Sequence, residues 1–292
     1  MSVDEFLKGA WEEHGEHPDD VAELLAASTH LVEAPEHVAP YAQLVTHVYG
    51  EHLGKWQDGV ELLESLRDSG VAPGVAGARA LSVGMAALRY TAGDAAAVDT
   101  LSTDEAVSAF ATASSALMAR GEAARAIESY AMALRAARGA PVASAQAIRA
   151  LAVGGNNLAA ALEEKRGRSD YETQGMLTAA EAGLQYWKQA GTWLEEERAE
   201  YRLARSRLQA GAAAAAVQSA ERCVRVCKRN GAPAFELFFA HAVLALAHRA
   251  AGDAEAFEAQ RHEAMACYTQ VPQADRRWCK GDLAELGGNP QA

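Results

Sequence analysis

The sequence predicts an all-α protein of antiparallel helix pairs, on three observations. Alanine makes up roughly a quarter of the 292 residues, whereas isoleucine occurs only at Ile127 and Ile148, so helix formers abound and strong strand formers are scarce. Apolar positions recur three and four apart over segments of 12 to 20 residues. Short turns carrying Gly, Pro, Asp or Asn separate these segments, and no strand-like run intervenes. Half of the chain is apolar, enough to bury a substantial core, which excludes a disordered, collagen-like or disulfide-stapled chain.

In chain order, the periodicity predicts helices over 2–13 and 19–32, then 38–53 and 56–69 joined by HLGKW at 52–56. A helix over 76–92 runs through TAGDA at 91–95 into a short segment, 94–101. Helices 103–120 and 122–138 flank ARGEA at 119–123, and 143–165 is followed by the loop KRGRSDYETQG at 165–175 and a helix over 174–190. Helices 192–210 and 212–229 flank QAGAA at 209–213, 233–251 and 253–269 flank AAGDA at 250–254, and 273–286 closes the series. Each turn glycine stands where one helix ends and the next begins, the place where a left-handed backbone costs least without a Cβ. Successive turn glycines are 39, 28, 90 and 41 residues apart, and a period near 40 argues for stacked repeats. Residues 1–34 read as acidic N-terminal capping helices, 38–270 as five to six helix pairs, and 273–292 as a C-terminal capping helix and tail.

One pair carries a family pattern. After Gly121, the small Ala126 falls five residues on, the aromatic Tyr130 nine on and the small Ala133 twelve on, with Phe110 eleven before. Gly211 repeats part of it with Leu203, Ala204, Ala216, Ala220 and Cys223, as does Gly252 with Leu244, Ala245 and Ala264. The chain resembles the tetratricopeptide repeat (TPR) family over about residues 38 to 270, with departures at Arg261, where an aromatic is expected, and at Gly59, where alanine is. The resemblance implies an α-α superhelix, a TPR-like solenoid, in which the first helix of each pair lines a concave groove. Carried over residue by residue, it places Arg198, Tyr201, Arg205 and Gln209 on the groove side. It adds Asn157, Ala161 and Lys165 from the preceding pair and Phe239, Ala242, Leu246 and Arg249 from the following one. Ser108, Ala111 and Ser115 leave room further back.

Charge is unevenly placed. The formal net charge is −12, and residues 1–70 hold all of the excess, with 15 Asp and Glu against 3 Lys and Arg. That balance excludes a general nucleic-acid binder, which needs a basic surface to displace counterions. Against this background, Arg198, Arg202, Arg205, Arg207, Arg222, Arg225, Lys228 and Arg229 face only Glu200 and Glu221, a basic island between 198 and 229. At about 100° per residue, Arg198, Arg202, Arg205 and Gln209 form one stripe with an apolar flank on each side. Planar guanidinium forks beside Tyr201 and Phe239 suit an acidic, partly apolar peptide or helix. The bland reading is a solvated face paired with Glu195, Glu196 and Glu200. The acidic N-terminal segment is a further expected occupant, as an autoinhibitory plug.

No phosphate-cradling glycine loop, GxSxG elbow, HExxH or CxxC occurs, so no enzyme, cofactor or metal is expected. Cys223 and Cys227 share a helical face but need two further ligands to hold zinc, and read as core. His14, His17, His30, His37, His47 and His52 lie in the acidic segment without the i, i+4 spacing that pairs ligands on an α-helix. They read as a solvated group, with a pH-responsive contact as the minority alternative. Residues 1–17 lack a basic and apolar leader and no later run suits a membrane span, so a cytoplasmic protein with reduced cysteines is expected. The expected function is a non-catalytic scaffold binding another protein or peptide, an acidic one by the argument above. The alternative is an effector-binding sensor in a signalling or transcription system. A homodimer through Trp187, Trp193, Phe235 and Phe238 is compatible with both.

Overall fold

The computed structural model describes residues 2–139 and 144–287, and every regular element among them is helical. The first residue assigned to the helix 143–165 and the tail beyond Gly287 lie outside the described residues. The helices are α1 (Val3–Glu13), α2 (Pro18–Ala27), α3 (Pro35–His47), α4 (Trp56–Arg67), α5 (Gly74–Thr91), α6 (Thr103–Ala119), α7 (Ala123–Gly139), α8 (Ala145–Glu164), α9 (Asp170–Ala190), α10 (Trp193–Gln209), α11 (Ala213–Arg229), α12 (Ala234–Ala250), α13 (Ala254–Gln270) and α14 (Arg276–Glu285). No described helix is long and apolar enough to cross a membrane. Chain neighbours pack as pairs, most closely α6 on α7, α10 on α11 and α12 on α13. The chain divides into two compact units, Met1–Gly154 and Gly155–Ala292, at a Gly-Gly step inside α8.

The five predicted turn glycines all take left-handed backbone, with φ from 66° at Gly54 to 109° at Gly93. Four differences from the predicted elements have local causes. Ser169 and Glu172 form a reciprocal capping box, so α9 starts at Asp170, inside the stretch expected as loop. The segment 94–101 holds only a single 3₁₀ turn, Ala95–Val98, capped by Asp94. The helix expected over 19–32 stops at Ala27 and gives way to a 3₁₀ turn, Thr29–Leu31. The expected helix 38–53 is α-helical only to His47 and widens into a π-helical turn, Val48–Leu53, that ends at Gly54.

In the first unit, α1 and α2 belong to the core itself. Val3, Phe6, Leu7 and Leu25 are buried in one cluster with Tyr41, Leu44, Val45 and Leu63. Phe6 stacks on Tyr41, whose hydroxyl donates to the Leu25 carbonyl. Gly59, which departs from the family pattern, is explained by crowding: a Cβ there would stand 2.8 Å from Tyr49 and from Leu88. The α6–α7 pair crosses closely at Ala126 and Ala133, both fully buried, and Tyr130 fills the remaining space while donating 2.7 Å to the Leu151 carbonyl.

In the second unit, α12 is apolar around its circumference and accordingly central, with residues 240–247 all buried. On one side it meets α11, whose Cys223 and Cys227 are buried as expected for core cysteines. On the other it meets α13 and α14, where Cys279, Leu283 and Leu286 join Phe238 and Leu246. Trp187 and Phe238 are therefore core residues, which removes them from any dimer surface.

Candidate functional site

The second unit opens a cleft of about 990 Å³ between α10, α12 and the segment that leads into α14. Four of the residues expected in a groove meet there: Arg198, Tyr201, Arg202 and Phe239. Helical spacing explains three of them, since 198, 201 and 202 share one face of α10. Tyr201 meets Phe239 edge to face at 5.8 Å, and Phe239 meets Phe235 at 5.1 Å, making an aromatic wall. Trp278 from α14 closes the other side with 62% of its surface exposed.

The remaining expected groove residues stand elsewhere. Asn157 is exposed outside the cleft, and its neighbour Asn156 lines it instead, because α8 turns 100° per residue. Lys165 pairs with Glu172 at 3.0 Å, and Gln209 accepts 2.9 Å from Arg168. Ala242 and Leu246 are buried. Arg205 and Arg249 are taken up by α14: Arg205 makes two bonds to the Glu285 carboxylate, 3.0 and 2.7 Å, and Arg249 donates 2.7 Å to the Glu285 carbonyl. Tyr201 donates 2.7 Å to Asp282, one turn earlier on the same helix. The carboxylates that meet Arg205 and Tyr201 thus come from α14 of the same chain.

The basic island is extensively paired within the second unit. Arg198 bonds Glu236 at 2.5 Å, and Arg202 together with Ser206 bonds Glu163. Arg222 places Nε 3.0 Å from both oxygens of the buried Glu200, Arg207 reaches Glu181 at 3.4 Å, and Arg225 pairs with Glu221 at 3.7 Å. Of the acids expected to pair with the stripe, Glu200 and Glu196 instead meet Lys188, and Glu200 also meets Arg222. Glu163, Glu236 and Glu285 are 38 to 80 residues from the arginines they hold, and sequence spacing does not mark them. Arg198 keeps 57% of its side chain exposed despite its pair, so it is the cation most open to a ligand in the cleft.

Glu197 is a further cleft residue that the sequence reading missed. Only 1% of it is exposed, and burial, with Glu236 beside it, pushes its carboxyl up to about 8, so it holds its proton at neutral pH. Its Oε1 accepts from the Cys223 thiol at 3.2 Å, while Oε2 has no hydrogen-bond partner. Glu197 therefore brings a third metal-ligating group to Cys223 and Cys227. The contact with Cys227, together with burial, raises the Cys223 thiol well above its usual range and keeps it protonated, which suits packing better than ligation. Burial likewise raises Glu163 against the pull of Arg202, and raises Asp282 against the bond from Tyr201. What this arrangement can do chemically is hold an apolar side chain against the aromatic wall and bond its polar neighbour through Arg198.

Compared with protein-family models and with curated proteins, the chain matches none.

Proposed function

We propose that the chain is a non-catalytic interaction protein, resembling the TPR family, that takes a peptide or helix of a partner protein into the cleft of its second unit. The observation that carries this reading is the joint exposure of Trp278 and Arg198 on opposite walls of one aromatic-lined cleft. Binding surfaces concentrate their energy in such aromatic and arginine anchors. The matching ligand is a segment with a large apolar side chain next to a carboxylate, the first for the aromatic wall and the second for Arg198. Tyr201 and Arg202 position that wall, Arg205 and Arg249 hold α14 in place, and Gln209 holds Arg168.

Selection from a displayed peptide library, followed by fluorescence polarisation on the enriched sequences, tests it. Trp278→Ala and Arg198→Glu should each weaken binding by about 30-fold or more, the scale of a central interface residue. Failure to enrich any sequence, or wild-type affinity in both variants, would remove the reading.

An effector-sensing protein is the second reading, and one feature favours it. The first unit has its own cleft of about 350 Å³, lined by Gln43, Thr46, Arg79, Gln146 and Arg149, a size within the range of small-molecule sites. A small anionic compound that raises the melting temperature, and ceases to do so in Arg79→Ala, would support it over the peptide reading.

A further inference from the structure

Three of the N-terminal histidines, scattered over 39 positions in sequence, come together in the first unit. His14 ends α1, His47 is the last residue of α3, and His52 lies in the π-helical turn. Their ring centroids are 4.8 to 5.0 Å apart, each residue is half-buried, and one ring nitrogen of each lies within 4.8 Å of the others. The π turn is the cause. On an α-helix, side chains five apart point about 140° away from each other. A turn closed by i→i+5 bonds brings them to one face, and Nε2 of His47 stands 3.1 Å from Nε2 of His52.

The other ring nitrogens are already engaged. His14 places Nδ1 2.7 Å from the Trp11 carbonyl, which can only accept, and His47 places Nδ1 3.0 Å from the Glu51 carboxylate. Both rings therefore carry their proton on Nδ1, and both Nε2 atoms present bare lone pairs toward the cluster. Such backbone and carboxylate partners are what orient histidine ligands in metal sites. His52 can give a single proton to the others, which leaves at least one lone pair unmet; a cation at the centre would meet all three. Four nitrogens at zinc-bond length stand about 3.3 Å apart on a tetrahedron, close to the His47–His52 separation. Arg120 fixes the frame, donating 3.0 and 2.9 Å to the carbonyls of Glu51 and His52 and so holding the π turn.

We propose that His14, His47 and His52 form a site for a divalent transition-metal ion of the zinc class, with three imidazole ligands and a fourth position open to water or a ligand. Neutral imidazole nitrogens suit zinc, copper, nickel and iron, whereas magnesium and calcium require oxygen donors, so the class follows from the donor set. Glu51 is a positioning residue, and it lies with His47 on the wall of the 350 Å³ cleft. The proposal does not depend on the peptide-binding reading of the second unit.

The test uses the untagged full chain, stripped with a chelator and titrated with zinc chloride against a chromophoric competitor. One equivalent should bind with micromolar or tighter affinity and change the emission of Trp11, which stacks on His47 at 5.3 Å. His47→Ala and His52→Ala should each lose affinity by about 100-fold, and Glu51→Gln by about 10-fold or more. His14→Gln guards against simple unfolding, because His14 sits at the rim of the fold. Its metal-free melting curve should match the wild type, while cobalt(II) should lose the visible bands of a low-coordinate site. His262→Ala on α13 should bind as the wild type does. Affinity weaker than about 100 µM in the wild type, or unchanged affinity in both His47→Ala and His52→Ala, would overturn the assignment.

Discussion

The arginine stripe of α10 and the histidines of the N-terminal segment make opposite use of their surroundings. Arg198, Arg202 and Arg205 are dense in sequence and look like a ligand-seeking row, yet each is met by a carboxylate from another helix: Glu236, Glu163 and Glu285. His14, His47 and His52 are sparse and sit among acids like a solvated set, yet they converge until one ring nitrogen of each lies within 4.8 Å of the others. Density along the chain is therefore a poor guide to which groups remain available. Availability is decided by whatever long-range partner the fold delivers.

Three experiments can break or sharpen this contrast. The largest effect is expected for Glu163→Ala, which strips the buried acceptor from both Arg202 and Ser206. Because Arg202 keeps 24% exposure, the loss should be about 2–3 kcal/mol in urea unfolding, somewhat below that of a fully buried pair. A loss under about 0.5 kcal/mol would mean that the stripe is not held structurally. An intermediate effect, dependent on pH, is expected for Glu197→Gln. The folded protein keeps the Glu197 proton up to about pH 8, whereas an unfolded carboxyl releases it near 4.5, so wild-type stability should fall as pH rises between those values. Glutamine mimics the protonated acid, so the variant should show a flatter melting-temperature profile over that window and be the more stable protein at pH 8; a profile parallel to the wild type would refute this. The smallest effect is expected for Arg225→Ala, which removes an exposed i, i+4 pair with Glu221 at 3.7 Å. It should cost less than about 0.5 kcal/mol, and a larger cost would place the outer face of α11 among the structural contacts.

The candidate site was partly legible in advance. Arg198, Tyr201, Arg202 and Phe239 reach the cleft because a 100° step per residue places them on adjoining helix faces, which the sequence alone supplies. Glu197 was not legible, since a glutamate inside EEER gives no sign that its neighbours will bury it. Trp278 was not either, because α14 reaches the cleft only by docking Cys279 and Leu283 onto α12. His47 and His52 were set aside on α-helical spacing, and a one-turn change of helix type reversed the geometry.

By itself, the sequence determined the helical class, nearly all the helix positions and the left-handed glycine turns, since these depend on interactions within a few residues: propensity, capping and apolar periodicity. Tertiary structure alone decided which carboxylate meets which arginine, which acid stays protonated, and that three distant imidazoles share one centre. Those outcomes depend on desolvation and on partners tens of residues away, and no local pattern encodes either.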